Sequence, residues 1–146
     1  PREPEFANAA ALHDAYCGIG NETGPVYHAK SWQEVHRLLY DALVASGTDP
    51  TKAKIMFAAV WLGGPRWYVD GRSDSTIAVV PPALKIEAMR KTIVMIRTTR
   101  PDMPDLIDFL QIIEREMLDQ MRAFDAADPV QVPVQVPFDP NDPTVP

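Results

Sequence analysis

At 146 residues the chain is long enough for one domain with one apolar core, and a hydrophobic fraction of 46% is ordinary for a globular protein. The formal net charge is -6 and the basic residues are scattered, which disfavours a nucleic-acid partner. Cys17 is the only cysteine, so no intrachain disulfide can form; with no signal peptide visible and no apolar run of the roughly 18–20 residues that a membrane span needs, a cytoplasmic protein without membrane contact is expected.

Residues 3–16 carry Phe6, Ala9, Ala10, Leu12 and Tyr16 and favour a helix. Residues 17–30 contain Gly18, Gly20, Gly24 and Pro25 and read as a loop that also holds Tyr27 and His28. Ser31-Trp32-Gln33-Glu34 is a capping box, in which the serine accepts from the Glu34 amide and Glu34 reaches back. The helix it opens runs to about Ser46, with Trp32, Val35, Leu38, Leu39, Ala42 and Leu43 as its buried stripe; His36 and Tyr40 lie one turn apart on the flank, and Gly47 ends it. Asp49-Pro50 caps and starts the next helix, apolar almost all round from Ile55 to Leu62 and therefore buried on most of its surface.

Gly63-Gly64-Pro65 stops that helix: glycine can adopt the left-handed closing conformation, and proline prevents continuation. Trp61, Trp67 and Tyr68 crowd the corner, as packing against a large internal surface requires. Residues 69–82 are irregular, with β-propensity for a short strand at 76–80. A further helix is expected from about Ala83 to Thr98, with Leu84, Ile86, Met89, Ile93, Met95 and Ile96 apolar. After the turn Arg100–Pro104, the last helix reaches about Ala126 on a stripe of Leu106, Phe109, Leu110, Ile113, Met117, Met121 and Phe124. Residues 129–137 repeat Pro-Val-Gln-Val and must be extended, as a surface-draped tail or as an arm toward a partner or a dimer mate. The pattern gives an all-α domain of four or five helices, packed as a bundle or a globin-like array.

Searches for catalytic constellations return little. His13, His28 and His36 all lie early in the chain, and none is paired at i, i+3 or i, i+4 with a carboxylate or another histidine, so no metal site is expected. No glycine-rich loop joins a strand to a helix, which argues against a nucleotide cradle. Cys17 with His28 or His36 is a conceivable thiolate pair, but nothing in the spacing brings them together. Glu114 and Glu116 point to different sides of the last helix, and no catalytic residue is assigned.

The run from Phe57 to Tyr68, with Trp61-Leu62-Gly63-Gly64-Pro65 at its centre, resembles the end of the E helix of truncated haemoglobins, particularly group II. Residues 37–43 resemble that family's B helix, which would make Tyr40 the tyrosine that hydrogen-bonds bound ligand. Residues 49–54 resemble the approach to the E helix, 71–82 the pre-F loop and F helix, 86–90 the start of the G helix, and 104–125 the H helix. The resemblance implies a globin-like domain at 31–127, an N-terminal helix and glycine-containing loop at 1–30, and a Pro/Val-rich tail at 128–146. It also implies a pocket lined by Tyr40, Phe57, Trp61, Trp67, Tyr68, Val79, Val80, Ile86, Met89 and Ile93, with His36 and Lys85 as polar contacts at its rim.

The departures from that family carry as much information. Its haem iron is bound by a histidine just before the Pro-rich start of the G helix; here Val79 or Val80 stands there, and no histidine follows His36. Haem would lack a proximal histidine, and valine cannot donate to iron. Three readings follow. The first is a haem-free globin-fold protein that binds a hydrophobic small molecule or a protein partner. The second is a haem protein ligated by Tyr40, His36, Lys85 or Met89. The third is an enzyme or accessory protein acting on a small organic substrate. A homodimer is left open.

Overall fold

The computed structural model describes residues 4–17, 30–68 and 72–127. The loop over 18–29, with Tyr27 and His28, and the Pro-Val-Gln-Val tail lie outside the described residues. Five α-helices follow one another: α1 Pro4–Cys17, α2 Trp32–Ala45, α3 Pro50–Gly63, α4 Pro82–Thr99 and α5 Met103–Ala127. There is no strand among the described residues, only an isolated bridge between Trp67 and Ser73. The β-propensity at 76–80 is overridden: residues 76–79 form a turn that drops Ile77 and Val80 into the core, each 2% exposed, an apolar anchor that needs no strand partner.

The helix starts follow local chemistry. At α2 both halves of the capping box form: the Glu34 amide donates to Ser31 Oγ, and the Ser31 amide donates to Glu34 Oε2 at 2.7 Å. Asp49 accepts from the Lys52 amide at 3.1 Å and opens α3 with Pro50 in its first turn. Asp102 does the same for α5 through the Asp105 amide. The chain leaves α2 through Gly47, whose φ of +90° suits glycine.

Helix α3 is central. Among the described helices, backbones lie close for α1–α2, α2–α3, α3–α4, α4–α5 and α3–α5, so α3 has three close neighbours, and α1 lies along α2 and meets α3 through side chains. That explains why α3 is apolar nearly all round. The main core gathers Trp32 of α2, Phe57, Ala58, Trp61 and Leu62 of α3, and Leu106, Leu110, Ile113 and Met117 of α5. A smaller cluster of Ala9, Leu39, Leu43 and Ala53 joins α1, α2 and α3. On α4 the buried line is Ala88, Thr92 and Ile96, while Ile86, expected inside, is 69% exposed. Small side chains at 88 and 92 give the face of closest approach, and the Thr92 hydroxyl is satisfied by the Ala88 carbonyl at 2.8 Å. Phe124 continues the α5 stripe in sequence but is 68% exposed, because α5 outruns its neighbours there.

The Gly63-Gly64-Pro65 corner closes α3 by a different route from the expected left-handed glycine. Gly64 is extended, with φ -79° and ψ 171°. Its lack of a side chain matters for another reason: a Cβ would collide with the Val60 carbonyl oxygen and stand 3.1 Å from His36 Nε2. Beyond the corner, Arg66 folds back beneath α3. Its guanidinium makes a two-pronged pair with Glu114 of α5, at 2.7 and 2.8 Å, donates to the Trp61 carbonyl and lies 4.1 Å from the centre of the Trp32 ring. Glu114 also accepts from Trp61 Nε1, whereas Glu116 leaves the same helix elsewhere to meet Lys91. The aromatics of the corner and this ion pair therefore tie α2, α3 and α5 together.

Candidate metal centre

The residues expected to line a pocket do not converge on one chamber. Phe57, Trp61 and Val80 are core side chains, and Tyr40, Trp67, Met89, Ile93 and Lys85 are half-buried around it. Tyr68, Val79 and Ile86 face solvent, at 49%, 66% and 69% exposure. The Tyr40 ring meets Phe57 edge-on with centroids 6.3 Å apart, and Trp67 turns outward to donate to the Lys30 carbonyl. A cleft between α4 and α5, lined by Leu84, Glu87, Ala88, Lys91, Ile113, Glu116, Met117 and Gln120, has a cavity volume of only about 10 Å³. That is below the roughly 300–1,000 Å³ of small-molecule sites. These residues do not fit a haem. Phe57, Trp61, Leu106 and Leu110 occupy the interior, and of the two valines that could stand at the ligand position Val79 is exposed and Val80 is packed into the core.

The titratable groups converge elsewhere. His13 and Cys17 stand one turn apart at the end of α1, and His36 stands opposite them on α2. His13 Nε2 lies 2.9 Å from His36 Nδ1, and Cys17 Sγ lies 3.3 Å from His13 Nε2. One donor atom from each of the three residues fits within a span of 4.8 Å. His36 is fully buried, not at a pocket rim, and His13 is 6% exposed; Cys17 is half-buried. The burial of His36 corrects the expectation from the α2 stripe, and α1 is the cause, since it covers the flank of α2 that the stripe leaves bare.

Each imidazole is held from behind. The ring of His36 sits 5.5 Å from Trp32, edge-on, and Trp32 in turn packs at 4.8 Å on Trp61. His36 Nε2 faces the Gly64-Pro65 corner: the Pro65 carbonyl lies in reach but no well-aligned hydrogen bond forms, so this nitrogen is without a full partner. A proton on Nε2 leaves the Nδ1 lone pair directed at His13 and Cys17. On the other side, His13 Nδ1 lies 3.8 Å from the Asp14 carboxylate. A carboxylate behind a ligating imidazole fixes its tautomer and raises its basicity.

The electrostatics favour neutral groups. Burial lowers His36 to about 4, helped by repulsion from His13 and Arg66, and burial outweighs Asp14 in lowering His13. Burial and the Asp14 charge raise the Cys17 thiol to about 11. A thiolate–imidazolium pair for nucleophilic catalysis is therefore disfavoured. Two neutral imidazoles and a thiol are instead the donor set of a zinc-class ion, whose charge would stabilise the thiolate. The α1 carbonyl end lies beside Cys17 with no basic residue in its last turn, and this negative pole also favours a cation.

The sequence offered Cys17 with His36 only as a conceivable thiolate pair and pointed to no metal site; packing brings the two together and adds His13. The legible half was His13 and Cys17 at i, i+4, which a search for histidine and carboxylate partners alone leaves out. The third member comes from another helix, and only packing brings it in.

A family model described as a protein of unknown function (DUF1353) matches residues 1–60, which hold all three cluster residues and stop before the Gly63-Gly64-Pro65 corner. The uncharacterized protein y4iH of Sinorhizobium fredii (strain NBRC 101917 / NGR234) is 42% identical over 67 residues, 46% of this chain and 25% of that protein. The matched part is thus a quarter of the length of that relative. No solved structure matches.

Proposed function

We propose that this chain is a haem-free, metal-binding helical domain whose centre is His13, Cys17 and His36, loaded with zinc or a similar ion. The observation that carries the reading is the convergence of two imidazoles and a thiol from two helices within 4.8 Å, with His13 and His36 buried. Tetrahedral zinc with ordinary bond lengths needs ligand separations of about 3.3 Å between nitrogens and about 3.6 Å between nitrogen and sulfur. The His13–His36 distance of 2.9 Å and the His13–Cys17 distance of 3.3 Å require only small widening. When bound, the ion supplies Lewis acidity and stabilises the thiolate. The protein's own residues do the rest: the Asp14 carboxylate, 3.8 Å from His13 Nδ1, electrostatically favours a proton on that nitrogen, the Pro65 carbonyl faces His36 Nε2, and Trp32 packs edge-on against the His36 ring. Metal uptake at neutral pH releases the thiol proton of Cys17, while each imidazole stays neutral and keeps its single proton on the nitrogen turned away from the ion, His13 on Nδ1 and His36 on Nε2.

The test is a cobalt(II) titration of the full chain at pH 7.5. One equivalent should give visible d–d bands and a near-ultraviolet thiolate charge-transfer band, both removed by excess zinc. Cys17→Ser should lose the charge-transfer band. Absence of any cobalt spectrum in the folded wild-type chain sinks the proposal. Hemin added to the same protein should leave no Soret band after gel filtration; a retained band returns haem to consideration.

A further inference from the structure

The three donors of the centre differ in how far solvent reaches them. His36 is fully buried and His13 is 6% exposed, while Cys17, the last residue of α1, is half-buried. Among the described residues the two imidazoles therefore form the inner wall of the cluster, and the sulfur forms its rim, 3.3 Å from His13 Nε2. A small reagent arriving from solvent meets the sulfur before either nitrogen. The donors differ in charge as well. With both imidazoles neutral, the thiolate is the one anionic member of the set. A reaction that removes the charge of the sulfur leaves two neutral nitrogens to hold a doubly charged ion. Cys17 is also the only cysteine of the chain, so no second thiol of the same chain can capture it in a disulfide. The Asp14 carboxylate, 3.8 Å from His13 Nδ1, places negative charge beside the cluster and favours an uncharged reagent over an anionic one.

We propose that the coordinated Cys17 thiolate is a site of reaction with hydrogen peroxide, and that its oxidation discharges the ion; this rests on the metal-binding reading above. The sulfur attacks one peroxide oxygen, so that an S–O bond forms, the O–O bond breaks and the sulfur gives up two electrons. The other oxygen leaves as hydroxide and takes a proton from the solvent to become water. Protonation of the product gives a neutral sulfenic acid, a poorer donor than the thiolate, while both histidines are unchanged. Resetting the site requires a low-molecular-weight thiol from outside the chain. A first thiol condenses with the sulfenic acid, releasing water and leaving a mixed disulfide. A second thiol attacks that disulfide, departs bonded to the first, and returns Cys17 to the thiol that can be metallated again.

The test treats the zinc-loaded full chain with hydrogen peroxide beside a chromogenic zinc chelator too weak to strip the untreated protein. Dimedone traps the sulfenic acid, and mass spectrometry of the peptide holding Cys17 counts it. About one equivalent of zinc should be released for each Cys17 oxidised. Dithiothreitol followed by fresh zinc, in a sample without dimedone, should restore one bound ion. Zinc retained by a chain whose Cys17 is oxidised refutes the proposal, because the two imidazoles then suffice to hold the ion. Zinc released while Cys17 is unmodified also refutes it, since the loss then begins at another residue. So does a Cys17 that stays reduced at a peroxide concentration that consumes free glutathione in the same solution. In all three cases the metal site itself stands. If the chain takes up neither cobalt nor zinc, both proposals fall together.

Discussion

In the core that α2, α3 and α5 share, the buried contact is apolar: Phe57, Leu106 and Leu110 are fully buried, and the charge within it is a two-pronged pair, Arg66 with Glu114. Between α1 and α2 the deepest contact is two imidazoles and a thiol, with Ala9 beside them. The first interface needs nothing beyond its own side chains, because burial of large apolar groups supplies the stability. The second puts titratable groups where apolar ones would hold more firmly.

The largest expected effect breaks the strong side of this comparison. Phe57→Ala removes a fully buried ring from the centre of the core and should cost about 3–5 kcal/mol in urea unfolding. Zinc should not restore this loss, because the cavity lies in the α3–α5 layer. A deficit below about 1 kcal/mol would show that this layer is less tightly packed than the burial of Phe57 indicates.

A smaller effect sharpens the weak side. In the metal-free chain His36 titrates at about 4, below its ordinary 6.5, so the unfolded state binds the proton more readily. Stability is then complete above about pH 6.5 and falls as pH drops toward 4, by an amount on the order of 2 kcal/mol at pH 5. The depressed value of His13 acts in the same direction. Urea melts at pH 7.5 and pH 5.0 measure this, and a flat response would mean that the two imidazoles are not buried together.

The smallest effect tests a local device common to neither interface. Ser31→Ala removes the side-chain acceptor of the α2 capping box and should cost about 1 kcal/mol, read as a shift in the thermal midpoint. Unlike the acid effect, it should be independent of pH between 5.0 and 7.5.

The helices were readable because their signals are local. Ser31 with Glu34, Asp49 with Pro50, and the stripe of Leu106, Leu110, Ile113 and Met117 each act within a few residues, and the structure places helices where those signals stand. The strand propensity at 76–80 misled because Ile77 and Val80 are apolar for the sake of the core, which a turn can serve as well. Ile86 on α4 misled in the opposite way: a helix packs through the face that lets its backbone come closest, and here that face is Ala88 and Thr92.

The candidate centre was legible only in part. His13 and Cys17 share a face of α1 by spacing alone, but His36 is 23 residues from His13 along the chain, and no periodicity relates the two. Trp61-Leu62-Gly63-Gly64-Pro65 could be read as a helix stop rich in aromatics. That Gly64 must be glycine because the His36 ring and the Val60 carbonyl stand against it depends on the close approach of α2 to that corner. The sequence by itself determined the helices, their caps and the absence of a histidine beyond His36, since these depend on neighbours along the chain. Only the tertiary structure decided that α1 lies along α2 and that two imidazoles and a thiol meet there, because a site shared between helices exists through packing and has no local signature.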